Sequence, residues 1–394
     1  MVDLKKEIKL SDLVPRRRQK QSVTKTLASP GRSKRSARRE LVGLKVGGSQ
    51  LAASRVVNNG SASLVQVARR PLDRGIVVGG EVRDVQALAH ALDSFFTEHN
   101  LPRRGVRLGL ATRGIGVRAF DIDGIADERQ LENAIRFRAH EAVSIPIEEA
   151  VLDYHVVSQT VDEHGNVSRR ILLAAAYREP IERYVEVCRA AKIELAGIDL
   201  EAFALLRAIG PDASDPAKEA ASAVVAVSLG HDRSTLAISD GAVCEFTRVL
   251  EWGGGMLESA IAVELKVAAD EATELKLGVS LVGDTYEDSG EDPAEDPRQP
   301  AVRETVKGEL QKLARELIAS LQFYQSQPGS RAISHILVSG GTSLIPGLPE
   351  ELEQLTRVDV RRADSLAHVQ AADDVRSRDD LASLAVAIGL GMEA

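Results

Sequence analysis

Aromatic residues make up only 3% of the chain, which leaves few of the stacking platforms that hold single-stranded nucleic acids. Cysteine is scarcer still. Cys188 and Cys244 are the only two. They give no metal-ligand spacing and no disulfide framework, and their apolar surroundings fit buried thiols in a reducing cytoplasm. No apolar run approaches the roughly twenty residues that cross a bilayer. The basic N-terminus has no apolar segment behind its charge, so it does not read as a secretory signal. Common enzyme signatures are missing as well. There is no GxxxxGKS/T phosphate loop, no HExxH and no GxSxG, and the eight histidines are scattered without metal spacing.

What is present is an uneven charge on an otherwise ordinary composition. The net charge is −8, yet residues 1–40 hold thirteen Lys and Arg against four acids. An acidic body therefore follows a basic leader that cannot bury enough apolar surface to order itself. Such a leader suits an anionic membrane surface, at about 1 kcal/mol per basic residue near the lipid. Nucleic acid is disfavoured as a partner because the body is acidic. At 394 residues the chain is long enough for two domains, and the polar, Pro-containing segment 211–219 is the best boundary. Residues 283–300 (GDTYEDSGEDPAEDPRQP) read as an exposed acidic loop.

Hydrophobic patterning places the elements. Residues 41–57 (LVGLKVGGSQLAASRVV) read as strand, tight turn and strand around Gly47-Gly48-Ser49. Residues 84–99 have helical apolar spacing. Residues from about 105 to 177 read as a separate small α+β unit, with Asp121-Ile122-Asp123-Gly124 as a turn inside it. Residues 224–249 (VVAVSLGHDRSTLAISDGAVCEFTRV) repeat the strand–turn–strand pattern about 180 residues after the first. The register sets Lys45 against Ser228 and Gly47 against Gly230. A third small-residue turn, Ser339-Gly340-Gly341-Thr342, follows the apolar strand Ile336–Val338 and leads into a helical run. Two hairpins from opposite half-domains could pinch a polyphosphate with backbone N–H groups, with Ser49, Ser234 and Thr235 adding hydroxyls. The third turn would then press against a base and sugar. The chain closes with a helix at about 379–391.

These stretches resemble the PilM family, the cytoplasmic actin-like proteins of type IV pilus assembly, themselves related to FtsA. The resemblance runs from about Leu41 to the C-terminus. It rests on residues 41–57, on LENAIRFRAHEAVSIPIEEAVLDYHV, on VVAVSLGHDRSTLAI, on EATELK and on ILVSGGTSLIPGL. It implies an α/β, two-lobed actin-like (ribonuclease H-like) fold with duplicated sheet cores. The first lobe would span 41–222, with an inserted subdomain at about 105–177, and the second 223–394, its last helix packing back on the first lobe. By the same resemblance, Gly47, Gly48 and Ser49 fall on the first phosphate hairpin, and Gly230, Asp232, Ser234 and Thr235 on the second. Gly254 and Gly255 head a cleft-closing helix, Lys276 lies near the ribose, and Gly340, Gly341, Thr342 and Leu344 form the adenosine motif. The implied ligand is ATP or ADP. The implied partner is the N-terminal cytoplasmic peptide of a PilN-like inner-membrane protein, received between the inserted unit and the first core at the inner face of the cytoplasmic membrane. Self-association of the FtsA kind stays open.

The chain departs from the actin-like pattern at two positions. Where each phosphate hairpin would begin with an aspartate, this sequence has Lys45 and Ser228. Neither holds a divalent cation as a carboxylate does, so Mg²⁺ binding and hydrolysis are less expected than nucleotide binding. Lys45 either pairs with a phosphate directly or points to solvent from an edge strand. The expectation is a nucleotide-binding scaffold. The alternatives are an active ATPase, a nucleotide-free interaction module and a membrane-associated filament protein.

Overall fold

The computed structural model describes residues 39–125, 127–143, 145–161, 166–210, 222–241, 243–282, 296–327 and 329–393. Most of the basic leader, the 211–219 connection, the 162–165 hairpin tip and most of the acidic loop lie outside the described residues.

The strand Arg39–Val46 pairs antiparallel with Gln50–Asn58, which pairs antiparallel with Ala62–Pro71. On the other side of Arg39–Val46 lie Val106–Leu110 and then Leu195–Leu200, both parallel. Parallel neighbours need long crossovers. The helices Val85–Glu98 and Arg178–Ala190 precede these two strands in the chain. Val85–Glu98 starts where the Asp84 carboxylate accepts from the Ala87 N–H, and it buries Leu88, Leu92, Phe95 and Phe96, so helical spacing and an N-cap agree.

The second lobe repeats the plan. Ser222–Leu229, Ser234–Ser239 and Cys244–Leu250 form the antiparallel triplet. Ala332–Ser339 and Val360–Arg362 add in parallel beside Ser222–Leu229, after the helices Gln299–Gln325 and Leu348–Thr356. The sheets are thus duplicated strand for strand, and the first adds an edge strand, Gln370–Ala371. Each has its own core. One packs Val42, Leu44 and Leu108 against Phe95 and Tyr184; the other packs Val225, Val227 and Leu236 against Leu257, Leu310 and Leu317.

The inserted unit is a three-stranded sheet, with Val167–Tyr177 between Gly116–Asp123 and Ala150–Val161, covered by the helix Glu128–Ala142 through Leu131, Ile135 and Ala139. The expected start near 105 is too early. Val106–Leu110 is a central strand of the first lobe, and a short apolar run reads alike in either setting. The expected turn at 121–124 is also corrected. Asp121 to Asp123 continue the strand, and the chain turns only at Gly124, at φ +76°.

Two short helices fill the space between the lobes. Glu201–Ile209 and Ala385–Gly391 share a cluster of Ala204, Leu205, Ala208, Val386 and Leu390. Glu201–Ile209 also presses Ala202 on Ala237 and Cys244 of the second lobe. Ala385–Gly391 lies against Arg39–Val46 so closely that a Cβ at Gly43 would fall 2.1 Å from the Ala387 carbonyl oxygen. Ser54 and Asn58 hydrogen-bond the Ala387 and Gly391 carbonyls. The two thiols are buried, and burial pushes each up to about 12, which keeps them as unreactive thiols.

Candidate functional site

The duplication brings two equivalent turns face to face. In the first hairpin Lys45 pairs with Ala52 and Val46 with Leu51. In the second Ser228 pairs with Thr235 and Leu229 with Ser234. Each closes with the same bond. The Gly47 N–H donates to Gln50 and the Gly230 N–H to Arg233. Gly230 has to be glycine, since a Cβ there would sit 2.5 Å from the Arg233 carbonyl oxygen. At the tips, a Cβ on Gly48 would lie 2.8 Å from the Asp232 carboxylate.

The turns open onto a cleft of about 420 Å³, within the range of small-molecule sites. Of the sequence-predicted residues, Gly47, Gly48, Ser49, Gly230, Asp232, Thr235, Lys276, Gly340, Gly341, Thr342 and Leu344 line it, together with Lys45 and Ser228. The third turn lines the cleft beside the second hairpin. Gly340 is fixed by geometry: its φ is +92°, and a Cβ would lie 2.3 Å from the Leu229 carbonyl oxygen. Its N–H donates to Ala382, and the Thr342 hydroxyl donates to Gly230 at 2.9 Å. The third turn is therefore tied to the second hairpin.

Three predicted residues do not line the cleft. Ser234 is fully buried and donates its hydroxyl to the Trp252 carbonyl. Gly254 and Gly255 do head a helix, Gly254–Leu265, but their N–H groups donate to Gly230 and His231. They hold the second hairpin from behind, and a Cβ on Gly254 would strike the Thr342 hydroxyl at 2.5 Å.

The cleft floor holds charged groups that the sequence reading did not single out. Glu201 is 2% exposed. Its Oε2 lies 3.5 Å from Lys45 Nζ and its Oε1 3.9 Å from Arg233 Nη2. Lys45 is thus neither a solvent-facing lysine nor free of a counter-charge. Arg233 also bridges Asp232 at 3.2 Å. Burial works against its charge, but Glu201 and Asp232 outweigh that and raise its pKa. The Asp232 carboxylate accepts from the Gly79 N–H of the first lobe. Glu258, on the Gly254–Leu265 helix, gathers Lys276 at 2.5 Å, Arg74 of the first lobe at 3.1 Å and His231 at 3.7 Å. Lys276 reaches the cleft, but its ammonium is already partnered.

The family model for the type IV pilus assembly protein PilM matches residues 46–394. The chain belongs to the PilM family. Among solved structures, a PilM–PilN type IV pilus biogenesis complex superposes with a TM-score of 0.73 at 23% identity, covering 90% of this chain and 98% of that one. The ethanolamine utilization protein EutJ from Carboxydothermus hydrogenoformans superposes with a TM-score of 0.51 at 15% identity, covering 97% and 94%. The fold of this PilM-family chain is the actin-like, two-lobed one. Among its described residues no helix is long and apolar enough to cross a membrane, and no group of three or more His, Cys, Asp and Glu is placed to hold a metal ion.

His231 lines this PilM-family cleft, and it is, with His335, one of two described histidines whose pKa burial lowers. Burial lowers its pKa below the usual 6.5, against the pull of Glu258. A depressed histidine contributes its stability above the unfolded pKa and loses it as pH falls toward the folded one. The urea midpoint should therefore drop between pH 7.5 and 5.5, and His231→Gln should shrink that drop. Equal drops in both proteins would exclude His231 as the source.

Proposed function

We propose that this protein is a nucleotide-binding scaffold of the type IV pilus inner-membrane platform, and that it receives the N-terminal cytoplasmic peptide of a PilN-like protein. One observation carries the nucleotide part. Two sequence-equivalent glycine turns, one from each lobe, meet at a cleft that Gly340, Gly341, Thr342 and Leu344 also line. Backbone donors at glycine turns suit phosphate oxygens. The walls suit an ATP- or ADP-sized ligand spanning the two lobes. The PilM–PilN complex supports the partner. The peptide would lie between the inserted sheet and the first core, so a ligand that draws the lobes together could alter that groove.

Thermal melting with ATP, ADP and the peptide, separately and together, tests both parts. Each ligand should raise the melting temperature. Gly341→Phe gives the matching control. A Cβ at Gly341 meets only Ser383, at 3.9 Å, so the ring has room at its root and fills the cleft. The variant should melt near wild type, lose the nucleotide shift and keep the peptide shift. A nucleotide shift of wild-type size in Gly341→Phe would move the site elsewhere. Peptide affinity unchanged by saturating ATP would sever the two sites.

A further inference from the structure

We infer that the cleft takes its polyphosphate without a divalent cation, with the Lys45 ammonium supplying the positive charge that such an ion would bring. This rests on the nucleotide reading above and narrows it to a metal-free ligand.

Four carboxylates line the cleft, Glu201, Asp232, Asp379 and Asp380, and all but the exposed Asp379 are taken up by basic side chains, which suits Mg²⁺ poorly. That ion needs an octahedral shell of oxygens, which one or two carboxylates complete together with the phosphates and waters. Glu201 makes no hydrogen bond through its buried Oε1, but two cations already face it, Lys45 at 3.5 Å and Arg233 at 3.9 Å, and would repel a third. Asp232 is engaged by Arg233 and the Gly79 N–H. Asp380 is engaged by Arg378 and by Arg69 from across the cleft. At the two equivalent hairpin positions, where carboxylates could face each other across the turns, the chain has an ammonium and a hydroxyl.

Charge at the hairpin end makes the same point. Two carboxylates at 45 and 228 would be offset only after a divalent ion had bound. Lys45 and Ser228 give those two positions one positive charge more than that metal-loaded pair, without any ion. The lysine is placed to use it. Lys45 lies just before the Gly47 turn and lines the cleft. Its 3.5 Å approach to Glu201 is longer than a charge-assisted hydrogen bond, so its donors are not saturated. A phosphate at the turn can accept from this ammonium while Glu201 keeps Arg233. Mg²⁺ on the phosphates would then compete with Lys45 for the same oxygens.

The test is ATP binding to the full chain by calorimetry, in excess EDTA and in excess magnesium. Wild type should bind in EDTA at least as tightly as in magnesium. Lys45→Ala should weaken binding in EDTA by about ten- to a hundredfold, the worth of a hydrogen bond to a charged group. Lys45→Asp should bind only when magnesium is present. Wild-type binding that disappears in EDTA overturns the inference and leaves the nucleotide reading intact. No ATP binding in either buffer overturns both. The wild-type comparison needs no variant, and unliganded melting of each variant shows whether it is folded.

Discussion

Gly389→Ala should destabilise the protein by about 3 kcal/mol, the upper end of what overpacking costs a core. A Cβ there would sit 1.8 Å from the Ala204 carbonyl oxygen, and the atoms around it are backbone, which cannot rotate away. The helices Glu201–Ile209 and Ala385–Gly391 would have to separate, and they carry the cluster between the lobes. Urea unfolding measures the loss. The control is Gly308→Ala on the exposed side of the Gln299–Gln325 helix, where a Cβ meets nothing within 4 Å. That change should be stabilising by about 0.5–1 kcal/mol through helix propensity. If Gly389→Ala unfolds at the wild-type midpoint, the two helices are not packed as closely as described.

Glu201→Gln should cost a similar amount for a different reason. The amide keeps the shape of the carboxylate but leaves Lys45 and Arg233 without their shared counter-charge. Removing one partner of a buried ion pair costs about 3 kcal/mol or more, because the remaining charge stays buried. Arg233 is 7% exposed and has Asp232 as a remaining partner, whereas Lys45 has none other among the ion pairs of the described residues. A polyphosphate in the cleft would return a negative charge to Lys45. ATP should therefore stabilise Glu201→Gln more than wild type. An equal or smaller nucleotide shift in the variant would show that Lys45 does not face the ligand.

Much of this arrangement was legible from the chain. The offset that set Lys45 on Ser228 and Gly47 on Gly230 is the register of the two hairpins, because a strand–glycine–strand pattern leaves few ways to pair. The 84–99 helix could be read because its apolar residues keep a 3.6-residue period. Other features depended on distant partners. Glu201 sits in the first turn of a helix, where an acid is ordinary, and Lys45 is 156 residues away in sequence. Glu258 looks like one more charge in a helix until Arg74, His231 and Lys276 converge on it. Ser234 follows a glycine turn and reads as a ligand hydroxyl, but strand alternation points it inward to Trp252. Val106–Leu110 reads alike in either unit because five apolar-rich residues do not reveal which sheet they join.

The placement of the Ala385–Gly391 helix also bears on how the chain is assembled during translation. Its seat lies against Arg39–Val46, at the start of the described chain, so the earliest strand waits for residues made more than three hundred positions later. The second lobe waits far less, since its sheet and its own helices fall between Ser222 and Arg362 and the Ala385–Gly391 helix that covers its Ala226 follows soon after. Contacts of long sequence separation are slow to form, and surface left open in the meantime invites misassembly. A fragment ending at the 211–221 connection would lack one face of its own interior, so the half made first is the half finished last.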